Sequence, residues 1–183
     1  MKMPRLDLAW RLFTDPPDEP ETHYGAMLVN YQGNTARDTY DMAVSYRVAA
    51  FRLLDAAGEH GEAWEGVDPI LFCFRHALEL NLKVLHRGHR QRVHGLKPMA
   101  EALHARLATR YPQAQIDWVR DRILEFDSVD PRSTAFRYDD APSKSTPPEL
   151  WVDFAKLRHI ITTVFDALDT VRRHDFELER EDA

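Results

Sequence analysis

Arg75, His76, Glu79, Lys83 and His86 bring five ionisable groups into one short segment of this 183-residue chain. On a helix with Arg75 taken as zero, His86, Glu79, Lys83 and His76 fall at about 20°, 40°, 80° and 100°, one narrow stripe. Imidazoles titrate near neutrality and serve as acids or bases. A guanidinium can hold a phosphate through two parallel hydrogen bonds. Glu79 lies four residues from both Arg75 and Lys83, a spacing at which one carboxylate bridges two cations. Ile70, Leu71, Cys73, Phe74, Ala77, Leu78, Leu80, Leu82, Val84 and Leu85 fill most of the remaining circumference, with Asn81 the one polar exception. A helix this apolar is expected to be mostly buried. Its stripe therefore faces a groove, satisfies itself, or does chemistry, and the sequence leaves all three open.

The elements that must position these groups read as helices. Tyr40, Ala43, Val44, Ala50, Phe51 and Leu54 follow helical period from Thr35 to about Ala57, with Gly58 as the expected stop. Asp68 and Pro69 suggest an N-cap and first position for the central helix, which Gly88 ends. Leu96, Met99, Ala100, Leu103 and Leu107 mark a third helix closed by Tyr111-Pro112. Ile116, Val119, Ile123 and Phe126 mark a fourth. Ser128 to Ser145 reads as a long loop, of the kind that is often functional. Thr146-Pro147-Pro148-Glu149 resembles a capping box opening a last helix that runs to about His174. With no hairpin signal, repeat or phosphate-binding glycine loop, the chain is expected to be an all-α bundle of four or five helices. The expected organisation is an extended, proline-bearing arm over 1–34, the bundle over 35–174 and an acidic tail over 175–183.

At this length one domain buries roughly 70% of its unfolded surface without staples. A formal charge of −6 argues against wholesale attraction to nucleic acid or anionic membrane. Its distribution is uneven, because Lys83 to Arg110 holds seven lysines or arginines against the single acid Glu101, with four histidines. Arg87, Arg90, Arg92 and Lys97 sit around the turn there, where cations meet phosphates in a salt-sensitive way. Cys73 reads as a small buried hydrophobe. The first residues lack the apolar stretch of a signal peptide, and no run approaches the roughly 18 apolar residues that cross a bilayer. A cytoplasmic location without membrane contact is expected.

The segments Arg75-His76-Ala77-Leu78-Glu79-Leu80-Asn81-Leu82-Lys83, His94-Gly95-Leu96 and Asp130-Pro131-Arg132-Ser133-Thr134-Ala135-Phe136-Arg137-Tyr138 together resemble uncharacterised bacterial proteins related to the HEPN (higher eukaryotes and prokaryotes nucleotide-binding) superfamily. The resemblance extends from about Tyr40 to Leu168. It implies a HEPN-like bundle, often homodimeric, frequently encoded beside a partner protein in toxin-antitoxin or antiviral systems, whose active members cleave RNA without metal. Those members carry an arginine, four to six residues, then a histidine, and Arg87 to His94 has that spacing here.

Catalysis is thus expected at Arg75, His76 and Glu79, with His94 converging from the following turn. RNA contacts are expected from Lys83, Arg87, Arg90, Arg92, Arg137 and Tyr138, the last two closing the long loop over the stripe so that Tyr138 stacks on a base. Glu101-x-x-His104 has a spacing used in di-iron bundles, but no second copy accompanies it, and His86, His89 and His94 lack supporting ligands. No metal or other cofactor is expected. The reading from a different class is a non-catalytic interaction or nucleic-acid-binding module whose polar stripe is structural.

Overall fold

The computed structural model describes residues 38–61, 63–86, 94–138 and 150–181. The chain divides into two units, Met1–Ala36 and Arg37–Ala183. The expected arm over 1–34 lies outside the described residues, and every described helix belongs to the second unit. These are α1 (Thr39–His60), α2 (Ala63–Leu85), α3 (Leu96–Leu107), α4 (Gln113–Val129), a single turn α5 (Ala135–Tyr138) and α6 (Phe154–Glu181), with no strand among the described residues. The fold is all-α. No helix among the described residues is long and apolar enough to cross a membrane.

α1 begins where Asp38 accepts the Asp41 backbone N–H and the Asp41 carboxylate accepts the Asp38 N–H in return, a reciprocal cap. It ends at Gly61, whose φ of 70° is the left-handed conformation that glycine adopts without strain. Gly58, the expected stop, stays inside the helix. α2 starts at Ala63 and runs through Pro69, where the sequence suggested a beginning. Proline withholds the N–H that the Glu65 carbonyl would accept. Glu65 and Pro69 are both exposed, so water can take that place. Close approach of α1 and α2 depends on Gly66, because a Cβ there would lie 3.3 Å from the Ala57 Cβ.

α2 is the element the others assemble around, packing on α1, α3, α5 and α6. Ile70, Phe74, Ala77, Leu78, Leu82 and Leu85 carry its side of the core. α6 answers with Ile161, Val164, Phe165, Leu168 and Val171, a heptad-like stripe on one face. α3 has no capping side chain of its own at Gly95. Asp127, near the end of α4, instead accepts the N–H groups of Leu96 and Lys97 at 2.8 and 3.0 Å.

The expected bounds of the last helix move at both ends, the first for a local reason and the second for a tertiary one. The residues 146–149 of the suggested capping box lie outside the described residues, and 150–153 are not helical. Asp153 caps α6, accepting the Lys156 N–H at 2.9 Å. At its other end α6 continues past His174 to Glu181. Asp175, which opens the expected acidic tail, is only 5% exposed and is held by Arg106 and Arg110 at 2.7 and 2.9 Å. Within the expected long loop, Ser128 and Val129 finish α4 and Ala135–Tyr138 form α5.

Because Asp127 caps the start of α3 from outside that helix, Asp127→Ala is expected to cost about 1–2 kcal/mol of stability. Urea unfolding should show a lower midpoint at unchanged slope, and Asp127→Asn, whose amide oxygen still accepts, should lose less.

Candidate functional site

Arg75 projects from α2 into the protein rather than into a groove and is 0% exposed. Its Nη1 donates to Glu79 Oε2 at 3.1 Å, one turn along the same helix. Nη2 donates to the His94 carbonyl at 3.0 Å, just before α3. Nε donates to the Asp130 carbonyl at 2.9 Å, just after α4. Three segments distant in sequence are thereby held by one guanidinium, whose rigid fork suits such convergence. Asp130 is itself buried; Oδ1 accepts the Thr134 and Ala135 N–H groups at 2.7 and 3.1 Å. Its Oδ2 lies 3.3 Å from Arg75 Nε without a hydrogen bond, so that contact is purely electrostatic. The turn so pinned contains Ser133 at a φ of 60°, a conformation side chains adopt at a cost.

Glu79, 1% exposed, joins this network to solvent. Its Oε1 accepts from Lys83 Nζ at 2.6 Å and lies 2.9 Å from His94 Nδ1. Burial alone would raise its carboxyl, but the hydrogen bonds from Lys83 and His94, with the charges of Lys83 and Arg75, outweigh it and hold the group below its usual 4.5. The ionised carboxylate has no proton to give, so Nδ1 of His94 must donate. In neutral His94 that fixes the tautomer and leaves Nε2 as the acceptor. The side chain of His94 is 67% exposed. A buried carboxylate orienting an accessible imidazole is an arrangement suited to proton transfer.

His76 stands apart from this network although it adjoins Arg75 in sequence. Its ring meets Tyr46 of α1 edge-on at 4.4 Å and lies parallel to Phe72 at 5.9 Å. Burial lowers its pKa below the usual 6.5, and the attraction of Glu79 does not offset that together with the repulsion of Lys83, Arg75 and Arg137. Arg137 belongs to the same neighbourhood. Its guanidinium lies 5.5 Å over Phe72, while Nε donates to the Ser133 carbonyl at 2.7 Å. His86 is spent on structure, its Nε2 2.9 Å from the Met99 carbonyl of α3.

The stripe therefore resolves into two clusters. Arg75, Glu79 and Lys83 converge with His94, whereas His76 and Arg137 gather around Phe72. Arg87, Arg90, Arg92 and the side chain of Tyr138 lie outside the described residues. Asp130 and Tyr46 are participants that the sequence did not mark as such. Asp130 carries a turn signature before Pro131 that does not distinguish a surface cap from a buried anchor, and Tyr46 lies on a different helix from its partners.

Among the described residues no group of three or more His, Cys, Asp or Glu is arranged to hold a metal ion. His104, paired in the sequence with Glu101, contacts Asp117 at 2.6 Å. A cavity of about 340 Å³ lies between α3, α4 and α6, lined by core residues such as Leu103, Ile116 and Leu168, and none of the Arg75 network borders it. Compared with family models, curated proteins and solved structures, the chain finds no match.

Removing one partner of a buried ion pair strands the other. Arg75→Leu is expected to cost about 3–5 kcal/mol, a large share of the roughly 5–15 kcal/mol that holds a domain together. Denaturant unfolding would register this.

Acid sensitivity should have two parts. Below pH 6.5 the unfolded chain takes up a proton that folded His76 resists, so stability falls from there toward the lowered folded value. Glu79 contributes stability that is present above 4.5 and lost as the pH drops through its lower folded value. Urea midpoints between neutral and acid pH should lose the first part in His76→Phe and the second in Glu79→Gln.

Proposed function

We propose that this chain is a HEPN-like, homodimeric cytoplasmic protein that cleaves RNA without a metal ion, as the effector of a toxin-antitoxin or antiviral module encoded beside a partner protein. The observation that carries the reading is the Glu79–His94 pair, a sealed carboxylate 2.9 Å from the Nδ1 of an exposed imidazole. Support also comes from the concentration of Lys83, Arg87, Arg90, Arg92 and Lys97 in the same stretch of sequence.

In this mechanism Nε2 of His94 takes the proton of a ribose 2′-OH as the oxygen attacks phosphorus. The bond from phosphorus to the 5′ oxygen breaks, water gives that oxygen a proton and is restored by the proton His94 took, leaving a 2′,3′-cyclic phosphate, a 5′-OH and neutral His94. Lys83 and the neighbouring arginines offset charge on the phosphoryl oxygens. Arg75 and Glu79, sealed from solvent, do not touch substrate in this scheme. They are positioning residues, Glu79 through the ring of His94 and Arg75 through its backbone.

The second reading is a non-catalytic module, and the burial of Arg75 and Glu79 favours it, because two cations and two carboxylates balance one another there without any ligand. Labelled RNA incubated with purified protein and EDTA separates the two. Cleavage should persist in EDTA and fall at least about 100-fold in His94→Ala, whose exposed side chain leaves the fold intact. Absence of cleavage by the unaltered protein, with RNA binding that weakens as salt rises, would select the binding module.

A further inference from the structure

The rings of Tyr46, Phe72 and His76 form a cluster that the cleavage step does not use. Phe72 and His76, one turn apart on α2, lie with their planes 6° apart, and Tyr46 of α1 stands at about right angles to both. Tyr46, Phe72 and His76 are each half-buried, so part of each residue is open to solvent. Arg137, exposed on α5, brings its guanidinium over Phe72. Stacked half-exposed rings beside a planar cation are what an unpaired nucleobase packs against, since every base has a π-face and a guanidinium stacks as well.

Placement favours one occupant. His76 is three residues before Glu79 on α2, which puts their Cβ atoms about 5–6 Å apart on the helix surface. Glu79 in turn holds His94. A base resting on the rings would therefore belong to a nucleotide close to the phosphodiester presented to His94. Burial also keeps His76 uncharged near neutral pH, so its ring offers a stacking face and not a second phosphate-binding cation.

We infer that Tyr46, Phe72 and His76, edged by Arg137, form a stacking platform for an unpaired nucleobase, making single-stranded RNA the substrate class. This rests on the RNA reading above. A duplex keeps its bases paired within the stack and would leave the platform empty.

The test is fluorescence anisotropy with a labelled 2′-O-methyl RNA strand of mixed sequence, which cannot undergo 2′-OH attack, against the same strand annealed to its complement. The unaltered protein should prefer the single strand about tenfold at equal salt. Tyr46→Leu and His76→Leu should each remove that preference while duplex binding stays. Tyr46→Phe and His76→Phe, which keep a ring, should retain it, and circular dichroism would confirm that all four variants fold. Equal binding of both forms by the unaltered protein would overturn the platform and leave RNA binding standing. So would retention of the preference in both leucine variants, or its loss in the phenylalanine variants as well. Binding of neither form would overturn the RNA reading itself and the platform with it.

Discussion

A single buried guanidinium holds this site together. Arg75 has lost all contact with water, and a charge so placed is tolerated only where its donors are satisfied and countercharges lie close. Glu79 on its own helix provides the nearest countercharge. The remaining donors reach two backbone carbonyls, of His94 and Asp130, that no helix could supply internally. Correct seating of Arg75 therefore requires the approach to α3 and the exit from α4 to be in place together. Asp127 adds to the same constraint by capping α3 from α4.

Burial changes what each polar residue can do. Arg75 and Glu79 have the chemical character of catalytic groups, but neither is exposed to a ligand. Both contact His94, Glu79 at its ring and Arg75 at its carbonyl, and the His94 side chain is mostly exposed. Lys83 shares the same Glu79 oxygen and stands partly in solvent, so the network carries two cations and two carboxylates and needs no external ion to be neutral. Beside this network on the same stripe of α2, His76 sits in a different medium, where aromatic rings replace hydrogen-bond partners and the uncharged imidazole is preferred. One helix thus presents a hydrogen-bonded electrostatic face and an aromatic face less than one turn apart.

Much of the architecture was legible because helical patterning is local. The stripe on α2, the apolar face of α6 and the all-α character follow from spacings of three and four residues. Boundaries were less legible, since the decisive interactions often came from elsewhere. Pro69 looked like a beginning, yet the missing hydrogen bond falls on an exposed side where it costs least. His174 looked like an end, yet Arg106 and Arg110 draw Asp175 into a continuing helix. Gly58 and Gly61 are equally plausible stops by residue type, and only Gly61 takes the left-handed conformation.

The sequence by itself determined that five ionisable groups lie on one side of an otherwise apolar helix, because their angular positions depend only on helical repeat. It also determined the i, i+4 relation through which Glu79 meets Arg75 and Lys83. Only the tertiary structure decided which of these groups water can reach. That depends on His94 and Asp130, which are 19 and 55 residues from Arg75 along the chain, and on Tyr46 from another helix. No local spacing encodes the approach of such distant partners, and it is their arrival that seals Arg75, orients His94 and leaves His76 among aromatic rings.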